Sequence, residues 1–93
     1  MLKVNEYYDG QVKSISLENE EGRETVGVMM KGEYEFATSS TEYMTVVSGR
    51  MKVMLPGNDF WKEYKPFETF IIPPEKKFRV LLEETAAYKC LYK

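Results

Sequence analysis

The sequence contains no histidine and a single cysteine, Cys90, in 93 residues. Imidazole and thiolate are the ligands that gather around a catalytic transition metal, so this chain is expected to work with no metal and no other cofactor. The same absence removes the base that activates a hydroxyl, which excludes Ser14, Ser16, Ser39, Ser40 and Ser48 as triad-type nucleophiles. One unpaired cysteine offers no disulfide framework and fits a reducing compartment. No apolar run approaches the ~18 residues of a membrane-spanning helix, and the stretch Met1-Leu2-Lys3-Val4-Asn5-Glu6 lacks the apolar centre of a signal peptide. Nor is there a basic excess: 13 Lys and Arg stand against 15 Asp and Glu, with a net charge of -2. These absences exclude nucleic acid and membrane as partners and make the cytoplasm the expected location.

What is present suffices for one core. Hydrophobic residues make up 43% of the chain and aromatic residues 14%, which predicts a single globular domain over residues 1–93. A chain this short buries only roughly two-thirds of the surface it exposes when unfolded, so its stability is expected to lean on a partner subunit.

The pattern is one of short strands. Val12 to Leu17 runs into the acidic turn Glu18 to Gly22. Arg23 to Met30 then alternates Val26, Val28 and Met30 against Thr25, Gly27 and Met29. Glu33-Tyr34-Glu35-Phe36 predicts a buried aromatic face and a wet carboxylate face. Further strands are expected over Tyr43 to Ser48, Arg50 to Leu55, Phe60 to Tyr64, Thr69 to Ile72, Phe78 to Leu82 and Ala87 to Tyr92, broken at Ser48-Gly49, Pro56-Gly57, Lys65-Pro66 and Pro73-Pro74. Eight or nine such strands without helical periodicity predict an all-β fold, a small jelly-roll β-barrel whose closure protects the strand edges.

Glu42 and Gly49, with six residues between them, resemble the first motif of the cupin superfamily. Pro73 followed five residues later by Phe78 resembles the second, with Glu75 where that motif has glycine and Phe78 where it has histidine. Tyr34 and Phe36 lie near the usual His-x-His pair. Of the metal ligands only the carboxylate remains, and one carboxylate is a poor transition-metal site. More narrowly, the chain resembles the bacterial pyrimidine/purine nucleoside phosphorylases. The fragments that carry the likeness are Asn5-Glu6-Tyr7, Val12-Lys13-Ser14-Ile15, Gly22-Arg23, Val26-Gly27-Val28-Met29, Gly32-Glu33-Tyr34 with Phe36, Met44-Thr45-Val46 with Ser48-Gly49, Leu55-Pro56, Trp61 with Tyr64, and Tyr88, Cys90 and Tyr92. Phe67 stands where the glycine that opens the second motif is expected, which allows the local turn to differ.

The resemblance implies a metal-free, homodimeric cupin that cleaves purine and pyrimidine nucleosides with inorganic phosphate as co-substrate, giving free base and (deoxy)ribose 1-phosphate. That chemistry needs an anion site, a group to fix the ribose, a flat surface for the base and tolerance of an oxocarbenium-like transition state. Glu42 is the candidate catalytic residue, acting on the ribose; the alternative is a solvated carboxylate where a strand begins. Arg23 is the candidate for phosphate because its guanidinium is a fixed fork of donors, and the alternative is a turn residue paired with Glu20, Glu21 or Glu24. Tyr34, Phe36, Tyr88 and Tyr92 are candidates for stacking on the base, or else fill the barrel. Arg79 is expected to point outward, Arg50 and Lys52 to form a solvated face, Trp61 to serve packing or a subunit contact, and Cys90 to be an inert packing residue. A non-catalytic cupin that binds or senses a small molecule, or a purely structural dimer, remains open at this level.

Overall fold

The computed structural model describes residues 2–93 and contains only strands and turns. Strand β1 (Lys3–Tyr7) is followed by β2 (Val12–Asn19), β3 (Gly22–Met29), β4 (Gly32–Ala37) and β5 (Glu42–Ser48). Then come β6 (Met51–Met54), β7 (Lys62–Tyr64), β8 (Thr69–Ile72), β9 (Lys77–Leu82) and β10 (Ala86–Tyr92). All pairings are antiparallel. One sheet has six strands in the order β1-β2-β3-β10-β5-β8, and the other has four in the order β4-β9-β6-β7. No helix is long and apolar enough to cross a membrane among the described residues.

The two sheets are joined by side chains rather than by hydrogen bonds around a closed barrel. Their facing sides supply one core, in which Val12, Val46, Met51, Val53, Ile72 and Val80 are fully buried. Period-two alternation explains which residues arrive there, since each strand sends alternate side chains inward. Tyr34 is buried between the exposed Glu33 and Glu35, as the alternation predicts. The same rule divides β8, where Phe70 and Ile72 are buried and Ile71 faces out. Strand β1 goes beyond the predicted set, and β7 is shorter than Phe60 to Tyr64 because Phe60 is exposed and leaves the sheet.

Two turns keep a backbone that the residue types argue against. Phe67 has φ 72° and Glu75 has φ 58°, each directly after a proline. Proline followed by positive φ is the pattern of a type II turn, whose third position favours glycine. Phe67 lies in the turn closed by Glu68 N donating to Lys65 O at 3.0 Å. Near Glu75, Thr38 Oγ1 accepts from Lys76 N at 3.0 Å and donates to Pro73 O at 2.7 Å. The turn at Phe67 keeps the left-handed conformation that glycine would adopt, held by the Glu68–Lys65 bond and by Phe67 N donating to Val46 O at 2.7 Å.

Candidate functional site

Register assembles the site. On the inner face of the large sheet, Tyr92 pairs with Arg23 of β3 on one side and with Glu42 of β5 on the other. The next inward row holds Ser16, Thr25, Cys90 and Met44, and the one after it Ser14, Gly27, Tyr88 and Val46. Three residues far apart in sequence are thus brought into a single line across three strands.

Between the sheets at this end lies a cavity of about 130 Å³. Among the described residues Glu42 is its only carboxylate. Its aromatic wall is Tyr7, Phe36, Phe78, Tyr88 and Tyr92, and Ser14, Met29, Ala37 and Met44 complete the lining. Burial pushes the Glu42 carboxyl above its ordinary range, and a hydrogen bond from Cys90 pulls against that rise. The thiol donates from Sγ to Glu42 Oε1 at 3.6 Å. Cys90 is 1% exposed, and burial together with the Glu42 charge keeps the thiol protonated. It is no nucleophile, and its contact with Glu42 goes beyond packing.

The tyrosines are held by named bonds. Tyr92 Oη shares a hydrogen bond with Thr25 Oγ1 at 3.0 Å, and the Arg23 guanidinium lies over the Tyr92 ring at 5.6 Å. Burial raises the Tyr92 phenol, and that of Tyr88 is pushed up to about 12, also chiefly by burial, with a hydrogen bond to Ser14 acting the other way. Both rings therefore carry their protons at neutral pH. Gly27 makes room for Tyr88: a Cβ there would lie 2.7 Å from the Tyr88 hydroxyl oxygen.

Of the aromatic candidates, Phe36, Tyr88 and Tyr92 meet at the cavity, and Tyr34 does not. Its hydroxyl donates to Met30 O at 2.7 Å, and its ring packs beneath Tyr8 and Phe36. Alternation predicts that Tyr34 turns inward, but it cannot tell an inner wall from a cavity wall. Tyr7 belongs to the site and was not among the candidates; the alternation of Lys3, Asn5 and Tyr7 against Val4 and Glu6 is the signal that finds it. Its neighbour Tyr8 anchors the β1–β2 hairpin, accepting from Glu35 N at 3.1 Å and donating to Glu35 O.

Arg23 takes part in no ion pair among the described residues, because Glu21 and Glu24 both engage Lys89, at 3.7 Å and 3.2 Å. Arg79 is paired with Glu33 on the outer face of the small sheet. Arg50 and Lys52 bind Glu63 and Glu83, as a solvated face should. Among the described residues no three of His, Cys, Asp and Glu converge.

Comparison with known proteins gives this arrangement a family. Residues 2–92 match the sequence profile described as pyrimidine/purine nucleoside phosphorylase. The chain belongs to that family. It is 50% identical over 93 residues to the pyrimidine/purine nucleoside phosphorylase of Pseudomonas entomophila, covering 100% of this chain and 99% of the relative. It is thus a member of an enzyme family, as the resemblance implied. The crystal structure of a Vibrio parahaemolyticus protein of unknown function is 37% identical and superposes with a TM-score of 0.91, over 97% of this chain and 96% of the other. An RmlC-like cupin from Shewanella frigidimarina, at 18% identity, aligns with a TM-score of 0.72 over 96% of this chain and 80% of its own. The fold is that of the cupins, as two packed sheets rather than a hydrogen-bonded barrel.

Proposed function

We propose that this protein is a pentosyltransferase that cleaves purine and pyrimidine nucleosides with inorganic phosphate, releasing free base and (deoxy)ribose 1-phosphate without a metal or cofactor. The observation that carries this reading is the row Arg23, Tyr92, Glu42, which sets a cation and a half-buried carboxylate on either side of one aromatic ring.

The chemistry suits those groups. Phosphate oxygen forms a bond to the anomeric carbon as the bond from that carbon to the base nitrogen breaks, and the base leaves with a proton supplied by phosphate or water. Positive charge grows on the ribose along the way. A carboxylate in a poorly solvated pocket stabilises that charge more than it would in water. Glu42 holds that position, with the Cys90 thiol fixing one of its oxygens. Phe36, Tyr88, Tyr92 and Tyr7 offer faces on which either class of base can stack, which suits broad specificity.

The outer face of the large sheet supports a homodimer. Val4, Ile15 and Val26 stand in one cross-strand row, with Val28, Val47 and Ile71 on the same face, each between 41% and 57% exposed. Six strands at about 4.8 Å spacing make a face roughly 24 Å wide, and these six apolar side chains lie across five of its strands. The cytoplasm is the compartment in which nucleosides, phosphate and a reduced thiol coexist.

The test is release of base from inosine, adenosine, uridine and cytidine by chelator-treated protein, with and without phosphate. Release that requires phosphate is expected. Release without phosphate makes the protein a hydrolase, and no release from any nucleoside makes it a binding cupin.

A further inference from the structure

A second cleft adjoins the Glu42 cavity and shares two of its walls, Tyr7 and Tyr92. It encloses about 360 Å³ and differs in character, for its lining brings Lys3, Asn5, Ser16 and Thr25 together with Arg23. Period-two alternation on β1 and β2 turns Lys3 and Asn5 inward beside Ser16, with Lys3 directly opposite Ser16 in register.

We propose that this cleft is the phosphate subsite, and that Lys3 and Ser16 hold the tetrahedral dianion together with Arg23. The proposal rests on the phosphorolysis reading and adds the N-terminal strand to the site. Two cations face the cleft, and neither Lys3 nor Arg23 enters an ion pair among the described residues. Glu24 also borders the cleft, but alternation turns its side chain to the other face of the sheet, where Oε1 lies 3.2 Å from Lys89 Nζ and Oε2 is buried with no hydrogen-bond partner among the described residues.

Donor accounting points the same way. Asn5 Nδ2 donates to Ser14 Oγ at 3.3 Å and to Ser16 Oγ at 3.0 Å, so the Ser16 oxygen is used as an acceptor and its own proton is free for a ligand. Thr25 and Tyr92 share one hydrogen bond, which leaves a second hydroxyl proton at the cleft wall. Cations with outward hydroxyl donors are the recognition chemistry of a phosphate oxyanion. Because Tyr92 borders both cleft and cavity, a phosphate held here stands next to a nucleoside whose ribose meets Glu42.

The experiment compares wild type with Lys3→Ala, Ser16→Ala and, as a remote control, Lys62→Ala. Two readouts are taken: calorimetric titration of inorganic phosphate into the full-length protein without nucleoside, and the KM values for phosphate and for inosine. Lys3→Ala is expected to raise the phosphate KM by about tenfold and to weaken phosphate binding in parallel, with the inosine KM changed less than about twofold. Ser16→Ala should follow with a smaller effect, Lys3→Arg should restore binding, and Lys62→Ala should behave as wild type. If base release requires phosphate but Lys3→Ala and Ser16→Ala leave both phosphate readouts unchanged, the subsite is refuted while the phosphorylase reading stands. Should wild type release no base yet bind phosphate in a Lys3-dependent way, the subsite stands and the nucleoside reading falls. Equal rises in both KM values overturn the assignment, since they report a general loss of structure.

Discussion

The Tyr88 ring lies so close across Gly27 that a Cβ on the glycine would sit 2.7 Å from both Cζ and Oη of the phenol, and 2.7 Å from the backbone oxygen of Lys13. This glycine has an ordinary φ, so it is required for space rather than for backbone freedom. Gly27→Ala should cost on the order of 1–3 kcal/mol, the usual penalty for overpacking, and should push Tyr88 into the cavity. Thermal denaturation and base release should both fall. A variant with unchanged Tm and activity would show that the Tyr88 position is not set here.

Glu42 ties stability to pH. Burial raises its carboxyl above the ordinary value of 4.5, so the unfolded chain gives up this proton first and ionisation in the folded state costs stability. The contribution of the protonated group is fully present below the ordinary value and is lost as pH rises through the raised one. Glu42→Gln cannot ionise, so its Tm relative to wild type should climb across that window and then level off. Its kcat/KM should drop by about a hundredfold or more, as expected when a group that stabilises developing charge is removed. Melting curves from acid to neutral pH and steady-state kinetics check both; a pH-independent Tm difference would place Glu42 in solvent.

Phe67 is a site of stored backbone strain. Its side chain is 81% exposed and contributes little packing, yet φ is 72°. Left-handed backbone costs roughly 1–2 kcal/mol in a residue with a Cβ, and glycine gives back roughly 0.5–1 kcal/mol of that in chain entropy. Phe67→Gly should therefore stabilise the fold by ~0.5–1 kcal/mol, measured as a higher midpoint in urea with an unchanged slope.

The valine face offers a test of assembly. A charge at Val26, in the middle of the Val4, Ile15, Val26 row, would be buried without a partner in a dimer but solvated in a monomer. Val26→Lys should convert a dimer to a folded monomer by sedimentation equilibrium. Persistence of the dimer would move the interface elsewhere.

Much of the fold was legible because a strand needs only local information. Alternation alone placed Tyr34 inward and Glu33 and Glu35 outward, and the breaks at Ser48-Gly49 and Pro56-Gly57 fell where β5 and β6 end. It could not decide which inward residues reach a cavity: Tyr34 spends its hydroxyl on Met30, while Tyr7 reaches the opening. It also left the fate of Arg23 open, since Glu21 and Glu24 are near it in sequence. The β10 register, which sets Lys89 among those carboxylates, settles that Arg23 remains without them.

The sequence by itself determined an all-β chain with no imidazole and one thiol, because composition and period-two patterning belong to the chain before it folds, and its resemblance to the cupins singled out Glu42. Only the tertiary structure decided that Arg23, Tyr92 and Glu42 form one row, that Cys90 donates to Glu42, and that Lys3 shares a cleft with Arg23. Those relationships depend on strand register and on the packing of two sheets, and a shift of one residue in β10 would turn Tyr92 and Cys90 to the opposite face.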